Sequence, residues 1–241
     1  MVQIAAPQRK LIKKFYKTVS LGEGDNGFSI LLDGKNAKTP ARASLAAPSR
    51  ALAEAIAEEW GGEGESVDFD AMRLTRLAAT AIDLAGAQRD QWAEEIASYA
   101  RSDLLCYRAE TPAALVARQE KGWTPYLDWA KAHLGTQLKT TAGIVAVEQP
   151  ADAIEAIRAK AVSFDDWRLI GAKQAAVLTG SAVLGLAAEA GAFAPEAIFA
   201  ASRLDERFQV EQWGADAEAA ANEARLEAEF MATAAWLAFL R

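Results

Sequence analysis

The sequence predicts an α+β protein, with a small β-rich N-terminal domain carrying one helix over residues 1–68 and a larger, mainly α-helical domain over 69–241. Two observations carry this reading. Residues 15–39 are short apolar runs punctuated by Gly- and Asp-rich turns, whereas beyond residue 70 apolar residues recur at three- and four-residue spacing in an Ala-rich background. Between the two patterns lies a Gly-rich acidic stretch, residues 61–70, which contains Glu63, Glu65, Asp68 and Asp70 and is the expected boundary.

Taken in order, Phe15–Val19 and Phe28–Leu32 read as strands joined by Gly22–Gly27, and Asp33-Gly34 makes a tight turn into Lys35–Thr39. Two successive hairpins form a small antiparallel meander. Pro48 and Ser49 open an Ala/Glu-rich helix that ends at Trp60, before Gly61-Gly62. A helix from Met72 to Leu84 is expected to break at Gly86, followed by one from Arg89 to Leu105 and one from Pro112 to Leu134, bent or divided at Pro125. Residues 136–149 read as extended. Further helices are expected over 151–160, 165–178, 181–189, 195–213 and from 216 to the end.

The chain has 241 residues, is 51% hydrophobic and 24% charged, and carries a formal charge of −7. That acidity argues against nucleic acid or an anionic membrane surface as a partner. Residues 1–17 nevertheless hold Arg9, Lys10, Lys13, Lys14 and Lys17 without an acid, and read as a solvated arm, with Pro7 arguing against a transit peptide. No run of about 18 apolar residues offers a membrane span. Cys106 is the single cysteine, which fits a reducing compartment and a cytoplasmic location.

Much catalytic chemistry lacks its residues. His133 is the sole histidine and sits at a helix end, where a surface role is expected; Cys106, among apolar neighbours, reads as an inert packed thiol. The Gly22–Gly27 loop lacks the Gly-Lys-Ser/Thr ending of a phosphate cradle and carries Glu23 and Asp25, so it is a turn. The acids of 63–70 match no calcium loop and read as a solvated linker. No metal and no cofactor are expected. An acid/base enzyme using Asp103, Asp205 or Glu206 is the weaker competing class, and an adaptor or scaffold for another protein is a third. Of the seven tryptophans most are expected in the core, while Trp123 and Trp129, around Pro125, suggest an aromatic wall.

Residues 202–214 are the most informative stretch. On a helix Leu204 and Phe208 share one side, while Val210 and Trp213 lie nearly opposite with Glu206 beside them; Glu211 follows Arg207 by one turn and can pair with it. A helix apolar on two sides is buried between neighbours or covered by a partner.

Six segments in series resemble the assembly chaperones of F-type ATP synthase that handle the alpha subunit of the catalytic head. They are Leu32-Asp33-Gly34 through Thr39-Pro40, Ala57-Glu-Glu-Trp60, Met72 through Asp83, Tyr99 through Arg108, Gly122-Trp-Thr-Pro-Tyr126, and Leu204 through Gly214. The resemblance implies a non-enzymatic chaperone, monomeric when free, that binds alpha subunit and shields its subunit interface until beta subunit joins. The short front end, without an evident targeting extension, points to a bacterial relative. The resemblance also implies that an acid within 205–211 meets the partner, so Asp205, Glu206 and Glu211 share that assignment. Glu206 comes first because a carboxylate on an apolar flank is costly unless a partner meets it. Trp60 and Trp213 are assigned structural roles, Trp60 as a packing anchor between the two domains.

Overall fold

The structure, a computed structural model, describes residues 11–24, 27–62, 64–143, 145–214 and 216–241, apart from the side chain of Ile12. Arg9 and Lys10 of the basic arm, Asp25 of the first turn and Glu63 of the linker lie outside the described residues. The α+β class holds: strands concentrate before residue 69 and helices dominate thereafter. Two compact units divide the chain, residues 1–85 and 86–239.

In the first unit, β2 (Val19–Gly24), β3 (Gly27–Leu32) and β4 (Lys35–Asn36) form the expected meander, and β5 (Ala46–Ala47) pairs with β3 in addition. A separate pair joins β1 (Leu11–Lys13) to β6 (Ser66–Asp68). The β2–β3 register runs from Val19 opposite Leu32 to Gly24 opposite Gly27. That places Ile30 and Leu32 in the core at 0% and 6% exposure. Asp33 and Gly34 both take positive φ, 47° and 76°, as a type I′-like hairpin turn requires.

The strand expected at Phe15–Val19 begins only at Val19. The reason is chemical: the Asp33 carboxylate accepts the backbone N–H groups of Lys17 (3.0 Å) and Thr18 (2.9 Å), so these donors do not enter a ladder. Those bonds, led by the one from Lys17, hold the Asp33 carboxyl below its ordinary range.

Helix α1 (Arg50–Gly61) starts where expected, with the Ser49 hydroxyl accepting from Leu52 N, and it buries Leu52, Ala53, Ile56 and Trp60 against the sheet. Helix α2 (Arg73–Arg101) is continuous, which corrects the break expected at Gly86. A single helical glycine costs only about 1 kcal/mol, less than the burial gained on either side by Ala78, Ala81, Trp92 and Ile96. The first unit extends past the expected boundary at residue 68 because the start of α2 is tied into it. Leu74 and Thr75 donate to Glu59, and Thr39 Oγ1 donates to Asp83 at 2.6 Å.

The second unit continues with a short 3₁₀ turn at Leu104–Cys106, β7 (Tyr107–Arg108), α3 (Ala113–Leu134), β8 (Thr141–Ala142), α4 (Ala151–Val162), α5 (Asp166–Thr179), α6 (Ala182–Ala190), α7 (Pro195–Ser202), α8 (Leu204–Trp213) and α9 (Ala217–Phe239). Among the described residues of 136–149, only Thr141–Ala142 form a strand, β8, pairing in parallel with β7. Pro125 lies inside α3 without dividing it. The helix expected over 195–213 is two helices, because Arg203, at φ −113° and ψ 16°, leaves helical geometry between them.

Small residues set how closely this unit packs. A Cβ on Gly185 of α6 would lie 2.7 Å from the backbone N of Ala176 in α5, and one on Gly171 would lie 2.6 Å from Leu237 in α9. Trp167 and Trp236 stack at 5.2 Å, and the Trp236 indole donates to the carbonyl of Trp167. Among the described residues no helix is long and apolar enough to cross a membrane.

Candidate functional site

Helix α8 is held by α3 through a ladder of matched positions. Gly122 leaves room for Leu204, whose Cδ1 would sit 2.7 Å from a Cβ there. One turn back, Gln119 is 1% exposed and its amide donates to Asp205 at 2.8 Å. Beside it Arg118 lies over the Phe208 ring, 5.1 Å from its centroid, and reaches Glu211 at 2.6 Å. Residues 118, 119 and 122 share a face of α3, so sequence spacing fixes which α8 residues they meet. Phe208 anchors the contact at 5% exposure.

The three sequence-assigned acids therefore differ in environment. Asp205 is half-buried and joined to an internal network in which Gln119 Oε1 accepts from Ala109 N (2.7 Å) and its carbonyl accepts from Arg108 (2.7 Å). Glu206 pairs with Arg203 at 2.9 Å, and its side chain stays 46% exposed. Glu211 pairs with Arg118 and not with Arg207, which corrects the expected one-turn pairing; Arg207 instead binds Glu223 of α9 at 2.8 Å. Tertiary partners across helices displaced the local one. The Arg118 hydrogen bond lowers the Glu211 carboxyl from its ordinary range.

The opposite side of α8 faces outward. Val210 is 37% exposed and Trp213 78% exposed, so a packing role for Trp213 finds no support within its own unit. Glu206, Val210 and Trp213 follow one another at four and three residues, the spacing of a single helical face. Most single exposed apolar residues mean nothing, but a tryptophan exposed on this scale beside a half-exposed carboxylate is unusual.

Other expected features sort clearly. Trp60 is 5% exposed and packs within its own unit, with ring centroids 5.9 Å from Tyr16 and 5.5 Å from Phe69. Trp123 and Trp129 do not make a shared wall. Trp123 is buried with its indole donating to Ala201 O at 2.8 Å, whereas Trp129 is half-buried and stacks on His133. The Cys106 thiol is buried and pushed up to about 12, chiefly by that burial, so it is no nucleophile near neutral pH.

Asp103 is fully buried, and its carboxylate accepts from Leu105 N at 3.1 Å and Val183 N at 3.2 Å. Its lone pairs cap the 3₁₀ turn and the start of α6, which leaves it no access to a substrate. Glu59 is the residue sequence reasoning missed. Its carboxylate takes Leu74 N, Thr75 N and the Thr75 hydroxyl at 2.7–2.8 Å, capping α2 from another helix. The signal was present as an acid beside Trp60 and a Thr early in α2, but their meeting is a tertiary event.

Burial raises the Asp103 carboxyl to about 6 against an ordinary 3.8. The folded state then keeps a proton that the unfolded chain has lost, so stability falls as pH rises from about 4 to 6, by on the order of 3 kcal/mol. Urea titrations across that window should show this decline in the parent, and Asp103→Asn, though less stable, should lack it. A parent curve that is flat or rises there would contradict the assignment.

Comparison with known proteins places this geometry. A family model described as ATP12 chaperone protein matches residues 13–131. Paracoccus denitrificans Atp12 is 38% identical, with a TM-score of 0.89 over 95% of this chain and 98% of that one.

The chain belongs to the ATP12 chaperone family.

An aspartate-to-lysine variant of the same Paracoccus protein matches at 37% identity with a TM-score of 0.89, over the same 95% and 98% of the two chains. The Atu1473 protein of Agrobacterium tumefaciens is 40% identical, with a TM-score of 0.90 over 96% of this chain and 87% of that one. Protein atp12, mitochondrial, of Schizosaccharomyces pombe is 26% identical over 214 residues, covering 84% of this chain and 74% of its own length. The solved relatives cover 95–96% of this chain and so extend over both units. The family match itself stops before α8.

Proposed function

We propose that this chain is a non-enzymatic chaperone for assembly of the F-type ATP synthase catalytic head. It binds free alpha subunit and shields its subunit interface until beta subunit joins, working as a monomer in the cytoplasm, the bacterial counterpart of the mitochondrial matrix. The observation that carries the reading is the outward face of α8, where Glu206, Val210 and Trp213 stand together at 46%, 37% and 78% exposure. An exposed aromatic with a carboxylate beside it suits a partner surface that is apolar and carries arginine. Membership of a chaperone family supports the reading.

Within this reading the acids divide the work. Glu206 and Glu211 are half-exposed and already oriented by Arg203 and Arg118, so each can share its second oxygen with a partner base. Asp205 fixes α8 on α3 through Gln119. Glu206→Gln keeps the shape and removes the charge, and should weaken alpha-subunit capture about tenfold; Trp213→Ala should weaken it at least as much. Both should melt like the parent, since an exposed side chain contributes within about 0.5 kcal/mol to stability. Asp205→Asn should instead lower stability through the Gln119 network. Titration against isolated alpha and beta subunits, separately, checks both the partner and the surface. Undiminished capture by Glu206→Gln, Glu211→Gln and Trp213→Ala together would move the binding surface elsewhere. Capture of beta but not alpha would replace the partner.

A further inference from the structure

The first unit contains a groove of about 740 Å³ that the α8 site does not use. Its walls are aromatic and aliphatic: Phe15, Tyr16, Trp60 and Phe69 with Leu32 and Leu45. Phe15 is 76% exposed at its edge, and the buried indole N–H of Trp60 has no hydrogen-bond partner among the described residues. A buried donor left unpaired is costly and is commonly met by a ligand or water. The charges around the groove run against those of the whole chain. Lys35, Lys38 and Arg76 line it, against Asp33 alone among the lining acids. Asp33 is already committed to Lys17 and Thr18, whereas Lys35 and Lys38 are exposed on the strand and loop that form one wall. In a protein of net charge −7, this is a local basic rim around an apolar cleft.

Three of the six resemblance segments line it. Leu32 to Pro40 and Trp60 line it directly, Thr75, Arg76 and Ala79 line it from α2, and Asp83 at the end of that third segment is bonded to Thr39. We propose that this groove docks an extended segment of the client polypeptide that carries a large apolar side chain next to carboxylates. The apolar side chain enters between Phe15, Trp60 and Leu45, and the carboxylates meet Lys35 and Lys38. Client contact is thereby divided between a basic apolar groove and the acidic α8 face, each taking a different part of the client. The inference rests on the client reading above for the identity of the polypeptide, not for the groove's preference.

The test uses the full chain with two probes, overlapping 15-residue peptides of the ATP synthase alpha subunit and the intact isolated subunit. Peptides with aromatic or leucine residues beside acids should bind. Their affinity should fall about tenfold with Phe15→Ala or with Lys35→Glu/Lys38→Glu, all at exposed positions, and should weaken with added salt in the parent. Glu206→Gln should leave peptide binding unchanged while weakening capture of the intact subunit. Peptide binding that ignores both groove variants, or a preference for basic peptides, overturns the groove. Failure to capture the intact subunit while acidic apolar peptides still bind, and still respond to the groove variants, upholds the groove and overturns the client reading.

Discussion

Trp60→Arg should destabilise the strand-bearing unit by about 3–5 kcal/mol, because a charge would be buried where no acid is placed to meet it. Trp60 is 5% exposed, with Tyr16 and Phe69 against its ring, and its carbonyl accepts the Tyr16 hydroxyl at 2.7 Å. The neighbouring Glu59 cannot neutralise the new guanidinium cheaply, since its oxygens hold the start of α2 at Leu74 and Thr75. Moving Glu59 would uncap that helix, so the two losses compound. Calorimetry should show the first unit's transition lowered by about 10 °C or more. Trp60→Phe, which keeps an apolar ring and also removes the unpaired indole donor, should cost far less. An arginine variant that melts like the parent would mean that Trp60 anchors nothing.

Gly185→Ala should cost about 3 kcal/mol, an unusually large effect for one methyl group. The new Cβ would stand 2.7 Å from Ala176 N, 2.8 Å from its Cβ and 2.9 Å from its Cα. Two of these atoms belong to backbone in α5, so the helices must separate, and the well-filled interface around Ala172, Ala175 and Leu184 would open with them. Gly86→Ala provides the contrast. It lies inside α2 with nothing within 4 Å of the added atom, and should stabilise by up to about 1 kcal/mol through helix propensity. Denaturant unfolding of the two variants should therefore shift in opposite directions. A Gly185→Ala midpoint equal to the parent's would show that α5 and α6 can part without loss.

These two glycines show where sequence reading stops. Both sit in Ala-rich helical patterns, and nothing in the local sequence separates the glycine that packs from the one that is merely tolerated. Gly86 was expected to break a helix and does not, because burial along α2 outweighs one poor residue. Gly185 carries no local signal, because its constraint is the backbone of another helix.

Local chemistry determined a good deal of this protein. Asp33-Gly34 specified its turn, Ser49 and the Gly61-Gly62 pair bounded α1, and apolar spacing located most helices and the α+β class. These features depend on interactions within a few residues, where spacing along the chain equals geometry. The grouping of Glu206, Val210 and Trp213 on one face of α8 was also legible, since helical projection put them together. Tertiary structure decided the rest: which side of α8 was covered, that Glu211 pairs with Arg118 rather than Arg207, and that Asp103 and Glu59 serve as caps. It also gathered Phe15, Leu45, Trp60 and Arg76 around one groove. Each of those outcomes joins residues far apart in the chain, and a charged or apolar side chain takes whichever partner the packed fold brings nearest.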